Sequence, residues 1–163
     1  MQHNHSSYKP LITILCFIML GTLILPAINP YNYMQNFMGL FLIIFSYFKI
    51  INLNEFAQAF RQYDPLGKLL RPYSKFYPFV ELALGLAFLT SLNLQLTGVI
   101  TAIISGLGTF GIYQTIRNKQ IIECACLGMV FKLPLSKVSL LENLVMCGMA
   151  IWLVVSWQNN TKV

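Results

Sequence analysis

LQLTGVITAIISGLGTFGIYQTI, residues 94–116, runs for twenty-three residues without a charged side chain. A helix crosses the hydrocarbon of a bilayer with about 20 residues, within a range of about 17–25, so the stretch reads as a membrane-spanning helix. Its small residues point the same way. Gly98, Ala102 and Gly106 recur at four-residue spacing, and Gly108 and Gly111 follow. Lipid provides no hydrophobic drive for helix association, so small residues along one face let neighbouring backbones approach. Ala83 and Ala87 predict a similar face on the preceding stretch.

Outward from this segment lie four more apolar stretches, at 11–28, 34–51, 76–92 and 138–157. The expectation is an all-α integral membrane protein, a bundle of about five transmembrane helices. The first stretch is longer than the about 7–15 apolar residues of a signal-peptide core, and Leu25-Pro26-Ala27 is a poor cleavage site. It reads as an uncleaved span. Composition agrees: the 163 residues are 56% hydrophobic and 10% charged, against about 25% charged in soluble domains. The net charge of +6 is spread over short loops rather than gathered on a basic face, which excludes nucleic acid as the expected partner and leaves the lipid bilayer.

Five spans would put Lys9, Lys49, Arg61, Lys68, Arg71, Lys75, Arg117, Lys119, Lys132 and Lys137 on one side and Lys162 alone on the other. Cytoplasmic loops are the ones enriched in Lys and Arg. The N-terminus and the 117–137 connection are therefore expected in the cytoplasm of a multi-pass protein. Between 52 and 75, Phe56, Ala59, Phe60 and Tyr63 recur at helical spacing with Glu55, Gln58, Arg61 and Gln62 between them. This predicts a short interfacial helix, ended at Asp64-Pro65 because a residue before proline leaves the α region. Tyr73 and Tyr77 mark the next entry into the membrane.

Ionisable groups within spans are expensive, and they mark sites. Glu81 and Glu142 both fall roughly 6–8 Å inside the boundaries of their stretches, at 1.5 Å per residue. Lys49 ends the second stretch at the same level. Plain structural roles compete with a site here. Lys49 can snorkel to the interface, Glu81 can pair with it as an anchor, and Glu142 can answer the dipole at a helix start. Cys16 and Cys147 read as packing residues, and His3 and His5 as part of an unstructured terminus.

Cys124-Ala125-Cys126 occupies the hydrophilic gap between the last two stretches. Residues i and i+2 of an extended chain lie at the upper edge of disulfide reach. Closing that bond strains the backbone, and strained disulfides are the labile, oxidising kind. Arg117, Lys119 and Lys132 favour thiolate while Glu123 opposes it. Two thiolates on one side of a strand also suit a soft metal. The pair is thus read as a redox pair performing thiol–disulfide exchange, with a soft-metal site as the alternative. No quinone or flavin signature is evident in the sequence.

Phe48-Lys49, Glu55-Phe56-Ala57, Tyr63-Asp64, Tyr77-Pro78-Phe79, Glu81 and Gly85 resemble the first half of the MauE/DoxX family of redox-associated membrane proteins. Cys124-Ala125-Cys126-Leu127-Gly128, Pro134-Leu135-Ser136 and Leu141-Glu142-Asn143-Leu144 resemble its MauE half, so that the likeness covers about residues 37–157. The resemblance implies a four-helix core in a bacterial inner membrane, with residues 34–157 as the bundle, 1–33 as a tail and additional helix, and 158–163 as a short tail. It also implies a role in maturing disulfide-containing proteins, as in methylamine dehydrogenase biogenesis, with a thioredoxin-like partner. Cys124 and Cys126 would be the redox pair, and Lys49, Tyr77, Pro78, Glu81 and Glu142 the surrounding polar cluster. Ala125 departs from the Cys-Gly-Cys often found in the family. The charge count puts the thiols on the cytoplasmic face, where thiols stay reduced, whereas oxidative maturation belongs outside the cytoplasm.

Overall fold

A computed structural model describes residues 9–24, 33–64, 67, 69, 72–117 and 136–160. Among them the chain is helical throughout, with no strand: α1 (Lys9–Ile24), α2 (Tyr33–Ile51), α3 (Leu53–Tyr63), α4 (Tyr73–Leu89), α5 (Leu94–Arg117) and α6 (Ser136–Asn160). Two helices, α2 and α5, are long and apolar enough to cross a membrane. Shorter apolar segments occupy Ile12–Ile24 of α1 and Glu142–Ser156 of α6.

Two antiparallel pairs, α2 with α4 and α5 with α6, make the most extensive contacts. Their inner faces share one core of Met38, Phe41, Phe45, Leu84, Phe88, Met146, Ala150 and Leu153, to which α1 adds Ile18. The outer surface is equally apolar. Phe17, Tyr47, Phe76, Ile103, Phe110 and Trp152 all point outward, while Gln35, Asn36, Ser46, Lys49, Glu81, Thr97, Thr101 and Ser105 are buried. Helices apolar on the outside and packed through small and polar groups follow the rules of membrane bundles.

Glycines set the closest approaches. A Cβ on Gly85 would lie 2.9 Å from the Gly39 carbonyl oxygen, and one on Gly39 would lie 3.0 Å from the Gly85 carbonyl oxygen. The α2–α4 crossing is therefore closed by this pair. Ala83, expected to make that face, is exposed, and Ala87 is half-buried. On α5 the close contacts are at Gly98, against Val154, and Gly108, against Asn143. Gly106 has only an ordinary contact with Cys147.

The turn joining α4 to α5 is tightly built. Leu92 N–H donates to the Ala87 carbonyl and Ser91 N–H to that of Phe88, the pattern of a Schellman motif, with Ser91 in the left-handed region at φ 57°. Asn93 Oδ1 accepts from Leu96 N–H and caps α5. From α2, Gln35 Nε2 donates to the Phe88 carbonyl and to Ser91 Oγ, clamping this end.

Helix α3 has the expected amphipathic pattern, and its apolar face packs on protein. Phe56 and Phe60 are 3% and 2% exposed and meet Tyr77 of α4 and Ile112 of α5. Asp64 then turns extended at ψ 127°, as the following proline demands, and its Oδ1 accepts from Gly67 N–H at 2.7 Å.

Candidate functional site

Lys49 stands in the last turn of α2 and Glu81 in the middle of α4. With Gly39 facing Gly85 in an antiparallel pair, Lys49 is level with Lys75, so Glu81 lies roughly 9 Å deeper at 1.5 Å per residue. Side chains on a helix lean toward its N-terminus. Lys49 therefore leans into the bundle and Glu81 leans back toward it, and the two long chains meet. The ammonium donates to Oε1 at 2.6 Å and to Oε2 at 2.5 Å. Lys49 does not snorkel outward; it is 6% exposed.

The same ammonium sits 5.1 Å from the ring centre of Tyr77 and 5.5 Å from that of Phe56. Both rings present a negative face to a desolvated cation. Tyr77 is buried in a cluster with Phe56, Phe60 and Tyr73, so its ring packs on protein. Tyr73 precedes the apolar stretch. Burial, then the charges of Asp64 and Glu81, push its phenol pKa from 10.0 up to about 12. It stays a neutral hydroxyl at any physiological pH.

Lys49 and Glu81 line a pocket together with Ser105, Glu142, Asn143, Phe41, Leu42, Phe45 and Met146. Helices α2, α4, α5 and α6 each contribute. Gly108 leaves the space that the Asn143 side chain fills, since a Cβ there would approach Oδ1 to 3.1 Å. Glu142 lies two turns inside α6, which begins at Ser136 and has no acidic residue in its first turn. The dipole effect fades within one turn, so this carboxylate belongs to the pocket rather than to the helix start.

Of the residues singled out in the sequence, Lys49, Glu81 and Glu142 share this pocket, and Tyr77 flanks the ammonium from the α3 side. Cys124 and Cys126 lie outside the described residues, as do His3 and His5. Cys16 is exposed on α1, and Cys147 is half-buried with its thiol 3.6 Å from the Ala102 carbonyl. Ser105 went unnoticed in the sequence. Its signal was the four-residue repeat Thr97, Thr101, Ser105, a hydroxyl stripe within an apolar helix. Among the described residues, no three His, Cys, Asp or Glu side chains gather as a metal site.

The described residues form a helical bundle with an apolar exterior around buried hydroxyls, amides and an ion pair, and two of its helices are long and apolar enough to cross a membrane. The chain belongs to the methylamine utilisation protein MauE family, whose model matches residues 8–156. The match takes in α1 as well as the helices after it. No curated protein and no solved structure matches the chain.

Proposed function

We propose that this protein is a multi-pass component of a bacterial inner membrane that supports thiol–disulfide exchange through Cys124 and Cys126, in the service of methylamine utilisation. In this reading the five spans lie in α1, in α2, in α4 from Phe76 onward, in α5 and in α6, and α3 packs at the cytoplasmic rim. The observation that carries it is the meeting of Lys49, Glu81 and Glu142 in one pocket inside the bundle. Ionisable groups persist at such depth where they serve a pathway or a reaction. Arg117 ends α5 and Ser136 begins α6 at the end of the bundle where Lys49 and α3 lie, and Cys124 and Cys126 fall between those two residues in sequence.

The exchange needs no cofactor. A Cys124 or Cys126 thiolate attacks the disulfide of a thioredoxin-like partner, forming a mixed disulfide and releasing one partner thiol. The second cysteine then displaces the other, leaving a Cys124–Cys126 disulfide and a reduced partner. The reverse sequence reduces the pair, so two electrons and two protons pass between the proteins in either direction.

Single Cys124→Ser and Cys126→Ser variants test this. Each is expected to insert normally and lose thiol–disulfide exchange activity, and one of them to trap a mixed disulfide with the partner. Parental activity in both variants overturns the reading. Stoichiometric binding of a soft metal that is lost in Cys126→Ser, without any mixed disulfide, replaces it with metal handling.

A further inference from the structure

We infer that the α2–α4 side of the bundle fits a thin bilayer, so that the protein favours lipids of short acyl chain and thins a longer-chain bilayer around that side. The inference rests on the reading of α2, α4 and α5 as spans, and it concerns the lipid that they take.

Helix α4 sets the belt, because both of its ends are described. Lys75 is exposed near its start, and the turn after Leu89 exposes Thr90, Ser91 and Asn93. Irregular backbone facing lipid does not occur within the hydrocarbon, and an exposed ammonium is expensive there. What remains between these limits is Phe76–Leu89, with Phe76, Phe79, Val80 and Leu86 facing outward. At 1.5 Å per residue this stretch covers roughly 21 Å, against about 30 Å for the hydrocarbon of an ordinary bilayer.

Helix α2 gives the same length by a separate signal. Its two tyrosines, Tyr33 and Tyr47, are 61% and 60% exposed. Tyrosine rings gather at both membrane interfaces, and along the helix these two again stand roughly 21 Å apart. The antiparallel register that sets Gly39 against Gly85 brings Tyr33 level with Ser91 and Tyr47 level with Tyr77. The two belts therefore coincide. Helix α5 differs: its exposed Gln95 and Gln114 bracket Leu96–Tyr113, roughly 27 Å, which suits an ordinary bilayer. Tilting the bundle shortens the reach of α2 and α4 further, so the bilayer must thin to meet them.

Thermal unfolding of the full chain in vesicles of dimyristoleoyl, dioleoyl or dierucoyl phosphatidylcholine tests this, with alkaline carbonate extraction as the check on insertion. The expected result is a chain retained in the membrane whose midpoint is highest in the shortest lipid and lowest in the longest, several degrees apart. Lys75→Leu lengthens the α4 belt and is expected to move the optimum to dioleoyl lipid. Gln114→Leu, on α5, is expected to leave it in place. A retained chain whose midpoint is equal in the three lipids, or highest in a longer one, overturns the inference and leaves the membrane reading standing. So does Lys75→Leu with the parental order. A chain that carbonate extracts from all three overturns both.

Discussion

Lys49 and Glu81 close an ion pair inside the bundle: the ammonium lies 2.6 and 2.5 Å from the two carboxylate oxygens, and neither residue exceeds 7% exposure. The pair joins the end of α2 to the middle of α4, and Phe56 and Tyr77 shield it from the side of α3. Removing one partner strands a charge in a low-dielectric interior. Lys49→Ala is expected to destabilise the protein by about 3–5 kcal/mol, as is usual for a broken buried pair. The double variant Lys49→Met, Glu81→Leu should recover most of that loss. Reversible unfolding of the reconstituted protein measures both, and a double variant no more stable than Lys49→Ala refutes the argument.

The Gly39–Gly85 crossing predicts a contrast among glycines. Gly85→Ala forces a methyl against the Gly39 backbone and Ile43, at 2.9 and 2.8 Å, and overpacking of this kind costs about 1–3 kcal/mol. A Cβ on Gly148 meets nothing within 4 Å, and one on Gly106 meets only Cys147 Sγ at 3.8 Å. Gly148→Ala and Gly106→Ala should leave stability unchanged or raise it. Thermal melts of the three variants in one detergent settle the order.

Tyr73 gives a pH dependence with a definite sign. Its folded pKa, about 12, lies above the ordinary tyrosine value of 10.0. Between those values the unfolded chain has released the phenolic proton and the folded chain still holds it. Stability from this group is therefore complete below about pH 10 and falls as pH rises toward 12. Ultraviolet titration should show a late tyrosinate step that Tyr73→Phe abolishes. The same late step in the variant would show that Tyr73 is not its source.

Asp64 predicts a local effect. Its carboxylate accepts from Gly67 N–H and is 1% exposed, and Gly67 lies under the Phe60 ring. Asp64→Ala leaves that N–H unsatisfied, a loss of about 1–3 kcal/mol, while Asp64→Asn keeps an acceptor and should lose less. Hydrogen exchange at Gly67 reports the difference directly; equal protection in Asp64→Ala and the parent contradicts it.

What could be read from the sequence depended on how local its signal was. Helix α3 was legible because Phe56, Ala59 and Phe60 carry a period against polar neighbours. Its packing on Tyr77 and Ile112 was not, since the same pattern suits a lipid surface. Lys49, Glu81 and Glu142 stood out as charges in apolar runs, but the inward lean of Lys49 depends on the register set by Gly39 and Gly85. No local pattern says which small residue will meet which backbone, so Ala83 looked as suitable as Gly85. Ser105 was harder to see for a similar reason: the Thr97, Thr101, Ser105 repeat is visible in the sequence, but it acquires meaning only from the pocket that Ser105 lines.

The most direct test of the central claim is alkylation of Cys124 and Cys126 by a membrane-impermeant maleimide, with mass readout, in intact cells and in opened membranes, before and after reduction. The expected result is labelling only once membranes are opened, with a fraction of both thiols appearing together only after reduction. Labelling in intact cells would contradict the cytoplasmic placement. Two thiols that remain fully free under oxidising as well as reducing conditions would contradict the redox function itself.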